Sequence, residues 1–159
     1  MNPSLVRLFL KVILILSTLN SSAQTHSLPL NELILTSSFG KRIHPVTGKN
    51  DFHKGIDLSA KSEPIYSILD GVVISVGANS ILGNFIRIDH GELTSIYGHL
   101  SIQLCKKGDS VKAGDFIAVS GNTGRVTGEH LHFSILYGKS YLDPLKFLSR
   151  LKSNKISRN

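Results

Sequence analysis

His130-Leu131-His132 near the end of the chain and His53-Lys54-Gly55-Ile56-Asp57 upstream supply imidazole and carboxylate groups in the spacing of a zinc site. In a β-strand alternate side chains share a face, so His130 and His132 point to one side while Leu131 and Phe133 point to the other, into a core. Two imidazoles then meet one cleft. His53 and Asp57 are four apart, which puts both on one face of either a helix or a strand. Two histidines plus one carboxylate make a three-ligand catalytic zinc set, with the fourth position left for water.

The remaining histidines are read one by one. His99, in Tyr97-Gly98-His99-Leu100, ends a strand in which Tyr97 and His99 share a face. Alone it would read as structural; in the company of the other three it reads as functional. His26 is incidental to a linker. His90, in Ile88-Asp89-His90-Gly91, ends a strand and serves a hairpin turn. His44 precedes Pro45, which holds it extended, so that it either lines the cleft or stabilises a loop.

The elements that must carry these groups are short apolar runs: Val72 to Val76, Phe85 to Ile88, Leu93 to Tyr97, Phe116 to Val119 and Leu131 to Leu136. Between them stand Asp70-Gly71, His90-Gly91, Lys112-Ala113-Gly114-Asp115 and Gly121-Asn122-Thr123-Gly124, residue types that tolerate the positive φ of tight turns. The pattern predicts a β-rich fold. The exception is Pro144 to Leu151, where Leu145, Leu148 and Leu151 predict a short terminal helix with Pro144 in its first turn.

The first residues read as an export signal. Arg7 and Lys11 give a positive start, Val12 to Leu16 with Leu19 an apolar run, and Ser21-Ser22-Ala23 a cleavage pattern. The apolar run falls short of the roughly 20 residues of a membrane helix, so no membrane span is expected after signal cleavage at residue 23. The predicted organisation is a signal peptide over 1–23, a linker over 24–36, one catalytic domain over 37–148 and a basic tail over 149–159. Loss of the leader would leave about 136 of the 159 residues, enough for one domain with its own core. The single cysteine, Cys105, excludes an intramolecular disulfide and leaves none near residue 23 for a lipid.

The formal net charge of +7 falls to +5 once Arg7 and Lys11 leave with the leader. A basic surface outside the cytoplasm favours anionic polymers such as cell-wall glycans. The basic residues are scattered, enriched only from Lys146 to Arg158 and without aromatic interleaving, so no nucleic acid partner is expected. The stretch Gly121 to Gly128 lacks the GxxxxGK[ST] pattern of a phosphate loop and reads instead as part of a substrate groove.

Taken together, the motifs resemble the lysostaphin-like, or LytM-type, zinc metallopeptidases that cut peptide cross-links in peptidoglycan. The resemblance covers roughly Ser37 to Leu148. It is carried by Ser38-Phe39-Gly40-Lys41-Arg42-Ile43-His44-Pro45, Phe52-His53-Lys54-Gly55-Ile56-Asp57, Asp70-Gly71-Val72-Val73, Gly83-Asn84 and Tyr97-Gly98-His99-Leu100. The last part runs from Ser120-Gly121-Asn122-Thr123-Gly124 through Thr127-Gly128-Glu129-His130 to Leu131-His132-Phe133. It implies an antiparallel β-sheet sandwich of the duplicated hybrid motif type with an open groove and a short C-terminal helix. It also implies a Zn2+ cofactor held by His53, Asp57 and His132, with His99 and His130 as unmetallated catalytic residues beside the zinc-bound water.

That assignment suits a chain with no HExxH helix and hence no glutamate base, in which a histidine must handle protons. Zinc brings the pKa of its water toward about 7 and polarises the scissile carbonyl. One of His99 and His130 is expected to act as general base, and the other, or Tyr97, to stabilise the oxyanion. Two positions depart from the family pattern. Ser134 stands where an acidic residue is frequent, which alters a hydrogen bond behind the metal, and Ile81-Leu82 stands where an aromatic is common, which alters a groove wall.

The expected protein is therefore an exported monomer, periplasmic or extracellular, that hydrolyses peptidoglycan stem-peptide cross-links. Service to a secretion or conjugation apparatus is a further possible role. Two other classes would leave different marks. A non-catalytic wall binder, or activator of another hydrolase, would be marked by lost ligands, and all three are present. A phosphocarrier of the related fold would sit in the cytoplasm with its phosphodonor, against the export signal.

Overall fold

The computed structural model describes residues 26–43, 48 and 50–156, with side chains to Leu151. The expected signal peptide and His44 lie outside the described residues. Among the described residues twelve strands are followed by one helix: β1 (Leu35–Ser37), β2 (Gly40–Ile43), β3 (Asn50–His53), β4 (Ile56–Ser59), β5 (Pro64–Tyr66), β6 (Gly71–Asn79), β7 (Gly83–Asp89), β8 (Leu93–Gln103), β9 (Ser110–Val111), β10 (Phe116–Ser120), β11 (His130–Tyr137), β12 (Ser140–Leu142) and α1 (Pro144–Ile156).

Ten strands join one antiparallel sheet in the order β1-β4-β11-β8-β7-β6-β9, with β12 on β11, and β10 linking β8 to β5. β2 and β3 form a separate hairpin. The five apolar runs read from the sequence all fall within strands, and the mainly β antiparallel architecture is as expected. The long strand β8 serves two neighbourhoods. Its first part lies between β7 and β11, while Leu100, Ile102 and Gln103 pair with Ser120, Val119 and Ala118 of β10 across a bulge. Such a change of partner is how one strand turns a corner between layers.

Period-two alternation supplies the core. Leu131, Phe133 and Ile135 of β11 and Ile56 and Leu58 of β4 are wholly buried, while His130, His132 and Asp57 take the opposite face. Tyr97 and Phe133 pack ring to ring at 5.3 Å between centroids. Each such aromatic or branched side chain contributes about 1.5–3 kcal/mol by leaving water, which makes this register costly to slip by one residue.

The stretch expected to be a linker packs on the domain. Leu30 is 1% exposed in the core, with Leu28 and Leu33 against it. The backbone is held by Ser27 N donating to the Ile68 carbonyl and Tyr66 N to the Pro29 carbonyl. At the other end, Asp143 caps α1 by accepting from Leu145 N through Oδ1 at 3.0 Å, and Leu148 is buried in the core. The helix was expected over 144–151; it continues to Ile156, through much of the expected tail. Among the described residues no helix is long and apolar enough to cross a membrane.

Candidate metal and catalytic site

His132 of β11 and Asp57 of β4 are direct cross-strand partners, so the sheet register itself brings imidazole and carboxylate together. His53 arrives differently. It ends β3 in the small hairpin, and Lys54-Gly55 carries the chain over to β4. His53 and Asp57 therefore share neither one helix nor one strand, and the four-residue spacing works through a break in the backbone. Gly55 makes that break possible: a Cβ there would lie 2.5 Å from the Phe133 carbonyl oxygen and 2.5 Å from Ser134 Oγ.

Three atoms converge. His132 Nδ1 lies 2.9 Å from Asp57 Oδ1 and 3.1 Å from His53 Nε2, and the third side of the triangle, His53 Nε2 to Asp57 Oδ1, is 3.2 Å. His53 Nδ1 donates to the Ser38 carbonyl at 2.9 Å, and since a carbonyl can only accept, Nε2 of the neutral ring carries a lone pair. His132 Nε2 is 3.0 Å from Ser134 Oγ, a hydroxyl able to accept its N–H in the tautomer whose Nδ1 lone pair would serve a metal. In the tautomers that metal binding requires, three lone-pair donors face one point.

A tetrahedral zinc ion held at about 2.0–2.1 Å from each donor needs donors about 3.3 Å apart. The observed triangle fits, and the two ring N–H groups held from behind are the supports that metal-binding histidines ordinarily have. Among the described residues this is the group of His, Cys, Asp or Glu side chains able to hold a metal ion.

Electrostatics favours the binding form. Burial, the largest single effect, works to raise the Asp57 carboxyl, but hydrogen bonds from His132 and His53 and their charges outweigh it, and the net result is well below the usual carboxylate range. Burial lowers the His132 imidazole, against the pull of Asp57. The carboxylate stays ionised and His132 stays neutral at pH 7.

His99 and His130 stand beside the triangle, their ring centroids 4.7 Å apart, with His99 5.8 Å from His132. Each has Nδ1–H committed to a carbonyl, Thr123 for His99 and Gly128 for His130, both at 2.8 Å. In the neutral ring of each, Nε2 then carries the lone pair toward the cleft, that of His130 lying 3.6 Å from Asp57 Oδ1. Burial lowers His99 to about 4, with the Thr123 hydrogen bond opposing and the neighbouring His130 and His132 adding to the fall.

One expectation fails here. Tyr97 does not share a face with His99: it is fully buried in the core, where its hydroxyl accepts from Ile68 N and from Ser95 Oγ. Burial pushes that hydroxyl up to about 12. The reason is local. His99 has φ of 62°, and its N–H leaves the ladder to donate to Leu82 O. A left-handed residue inside β8 breaks the alternation, so Gly98 and His99 both serve the cleft side while Tyr97 and Leu100 stay in the core. Tyr97 is thus no candidate for the oxyanion.

The cleft is an open groove of about 470 Å³, within the usual size of a ligand site. Besides the histidines it is lined by Ile81, Leu82, Arg125, Val126 and Thr127 and by Phe52, Lys54 and Tyr141. The loops that carry Ile81 and Arg125 lock together, Arg125 N donating to Ile81 O and Thr123 Oγ1 accepting from Asn84 N. Both departures from the family pattern fall at the site: Ser134 behind His132, and Ile81-Leu82 in the groove lining. His26 and His90 do not line the groove. His90 donates to the Asp70 carbonyl and meets Ser95 Oγ at 2.8 Å.

Arg42 was not singled out from the sequence, yet it lines the groove with its NH1 3.6 Å from Asp57 Oδ2. The alternation in β2 places Gly40 and Arg42 on one face, and Gly40 pairs with His53. That pairing, invisible without the hairpin register, is the signal that would have found it.

The family model for peptidase family M23 matches residues 51–144. Over 115 residues the chain is 44% identical to the peptidoglycan DD-endopeptidase ShyB of Vibrio cholerae, a match covering 70% of this chain and 27% of that protein. The chain thus spans about a quarter of that relative's length. A zinc containing peptidase from Vibrio cholerae has a similar structure, with TM-score 0.69 and 42% identity over 72% of this chain and 37% of the other. The catalytic domain of the antimicrobial peptidase lysostaphin from Staphylococcus simulans matches with TM-score 0.71 and 31% identity, over 79% and 99% of the two chains. Since the family match takes in His53, Asp57, His99, His130 and His132, the chain belongs to peptidase family M23.

Proposed function

We propose that the chain is a zinc-dependent endopeptidase that hydrolyses peptide cross-links of bacterial peptidoglycan, with His53, Asp57 and His132 as metal ligands and His99 and His130 as catalytic residues. The observation that carries this reading is the convergence of three lone-pair donors, 2.9–3.2 Å apart, beneath two further imidazoles in an open groove. When bound, zinc supplies Lewis acidity and lowers the pKa of water toward about 7.

The chain's own residues supply the rest. A peptide lying along the groove between Ile81 and Phe52 presents its carbonyl to the metal corner. Nε2 of His99 or His130 takes the proton of the attacking water and returns it to the leaving amine, so that water and peptide bond become a carboxylic acid and an amine. The imidazole that does not take the proton is left to stabilise the developing oxyanion. His99, neutral down to about pH 4, keeps its accepting lone pair across the physiological range.

The similarity to a peptidoglycan DD-endopeptidase supports direct cross-links between stem peptides, those joining D-alanine to a diamino acid, as the substrate. The leader read over 1–23 would deliver the domain to the periplasm or beyond, where that polymer lies. The experiment is incubation of the purified protein with sacculi, with and without a zinc chelator, and mass spectrometry of the released fragments. The expected result is chelator-sensitive release of uncrosslinked stem peptides. No zinc-dependent release from any wall type would overturn the reading in favour of a non-catalytic wall binder.

A further inference from the structure

The two oxygens of Asp57 face different company. Oδ1 meets His132 Nδ1 at 2.9 Å and His53 Nε2 at 3.2 Å, and is 3.6 Å from His130 Nε2. Oδ2 faces Arg42, whose NH1 lies 3.6 Å away. The same NH1 donates to Ser37 Oγ, which in turn is 3.5 Å from His53 Nδ1. Arg42 thus reaches behind two of the three donors at once. Its Nε is buried and has no hydrogen-bond partner among the described residues. A guanidinium with an idle buried donor is a costly placement that a solvated surface ion pair would not require.

A carboxylate beside a divalent cation can bind it through one oxygen or both. If both oxygens of Asp57 turned inward, the second would take the position that a catalytic zinc site keeps open for water or substrate. We propose that Arg42 is a positioning residue: by holding Asp57 Oδ2 outward, it reserves Oδ1 as that carboxylate's single donor to the metal. Arginine suits the task because its donors are fixed in a planar fork and its charge is permanent, whereas lysine would offer a mobile point charge. The inference rests on the zinc site proposed above and adds which residue keeps that site open.

The test uses the whole chain loaded with Co2+, whose visible absorption weakens as its coordination number rises. Wild type, Arg42→Met, Arg42→Ala and Arg42→Lys are compared, with circular dichroism to identify folded variants. Either apolar variant suffices if the other misfolds. The expected result is a clear loss of band intensity in Arg42→Met and Arg42→Ala, partial recovery in Arg42→Lys, and a fall in kcat of about tenfold or more in the apolar variants. A folded apolar variant with the wild-type cobalt spectrum would overturn the inference, even if its turnover fell. A wild type that binds Co2+ yet cleaves no sacculus would count against the endopeptidase reading, and the spectra would still decide the role of Arg42. A wild type that binds no Co2+ would overturn both.

Discussion

Replacing Gly55 by alanine tests the close approach on which the metal corner depends. A Cβ at this position would lie 2.5 Å from the Phe133 carbonyl oxygen, 2.5 Å from Ser134 Oγ and 2.9 Å from His132 Cε1, where ordinary contact begins at 3.4 Å. The Phe133 backbone is paired on both sides, with Ile56 and with Tyr97, and cannot retreat alone. Forcing a methyl group into such a site costs about 1–3 kcal/mol, and the stiffer unfolded chain of the alanine variant returns about 0.4–1 kcal/mol. The expected net loss is about 1–2 kcal/mol, which at a urea slope of about 1.5 kcal/mol per M lowers the midpoint by roughly 1 M. The denaturation is run in chelator, because metal binding to the native state would add its own stability. The second effect is on the metal. Displacing the Ser134 hydroxyl takes the acceptor from His132 Nε2–H, and zinc affinity measured by chelator competition is expected to fall about 10–100-fold. Ser134→Ala separates the two effects by losing affinity without adding a methyl group. A Gly55→Ala protein with wild-type midpoint and wild-type zinc affinity would refute the reasoning.

Two further outcomes are expected. The His99 ring of the metal-free protein should titrate near 4 in an NMR pH series, and a midpoint near 6.5 would show that burial does not control it. Because the native state refuses a proton that the unfolded chain accepts below about 6.5, this group's contribution to stability is full above that pH and is lost as the pH falls toward 4. Leu30→Ala should cost about 2–5 kcal/mol in urea denaturation, since Leu30 is only 1% exposed; a change within about 0.5 kcal/mol would mean that 24–36 acts as a tether after all.

Much of the fold was legible because its signals are local. The five apolar runs are strands, and Pro144 opens the helix, since period-two burial and turn residues act within a few positions of one another. Leu30 was hidden for the opposite reason: the stretch around it is too short and broken by Pro29 to read as a strand, and it is buried by residues that follow later in the chain. His99 was half legible. Its presence in β8 was expected, but its left-handed backbone has no sequence mark, and that one dihedral turns His99 to the cleft while Tyr97 stays in the core.

For the site, the amino-acid order alone determined that His130 and His132 share a direction while Leu131 and Phe133 face the core, because strand geometry allows nothing else. It also carried the motifs that resemble the family. Only the tertiary structure decided which nitrogen of a ring such as His53 or His99 meets a carbonyl, which oxygen of Asp57 turns inward, and that Arg42 stands behind the donors. Those choices are made by partners such as Ser38 and Thr123 across strand pairings and loop contacts. A hydrogen bond between segments far apart in sequence leaves no trace in the spacing of either one.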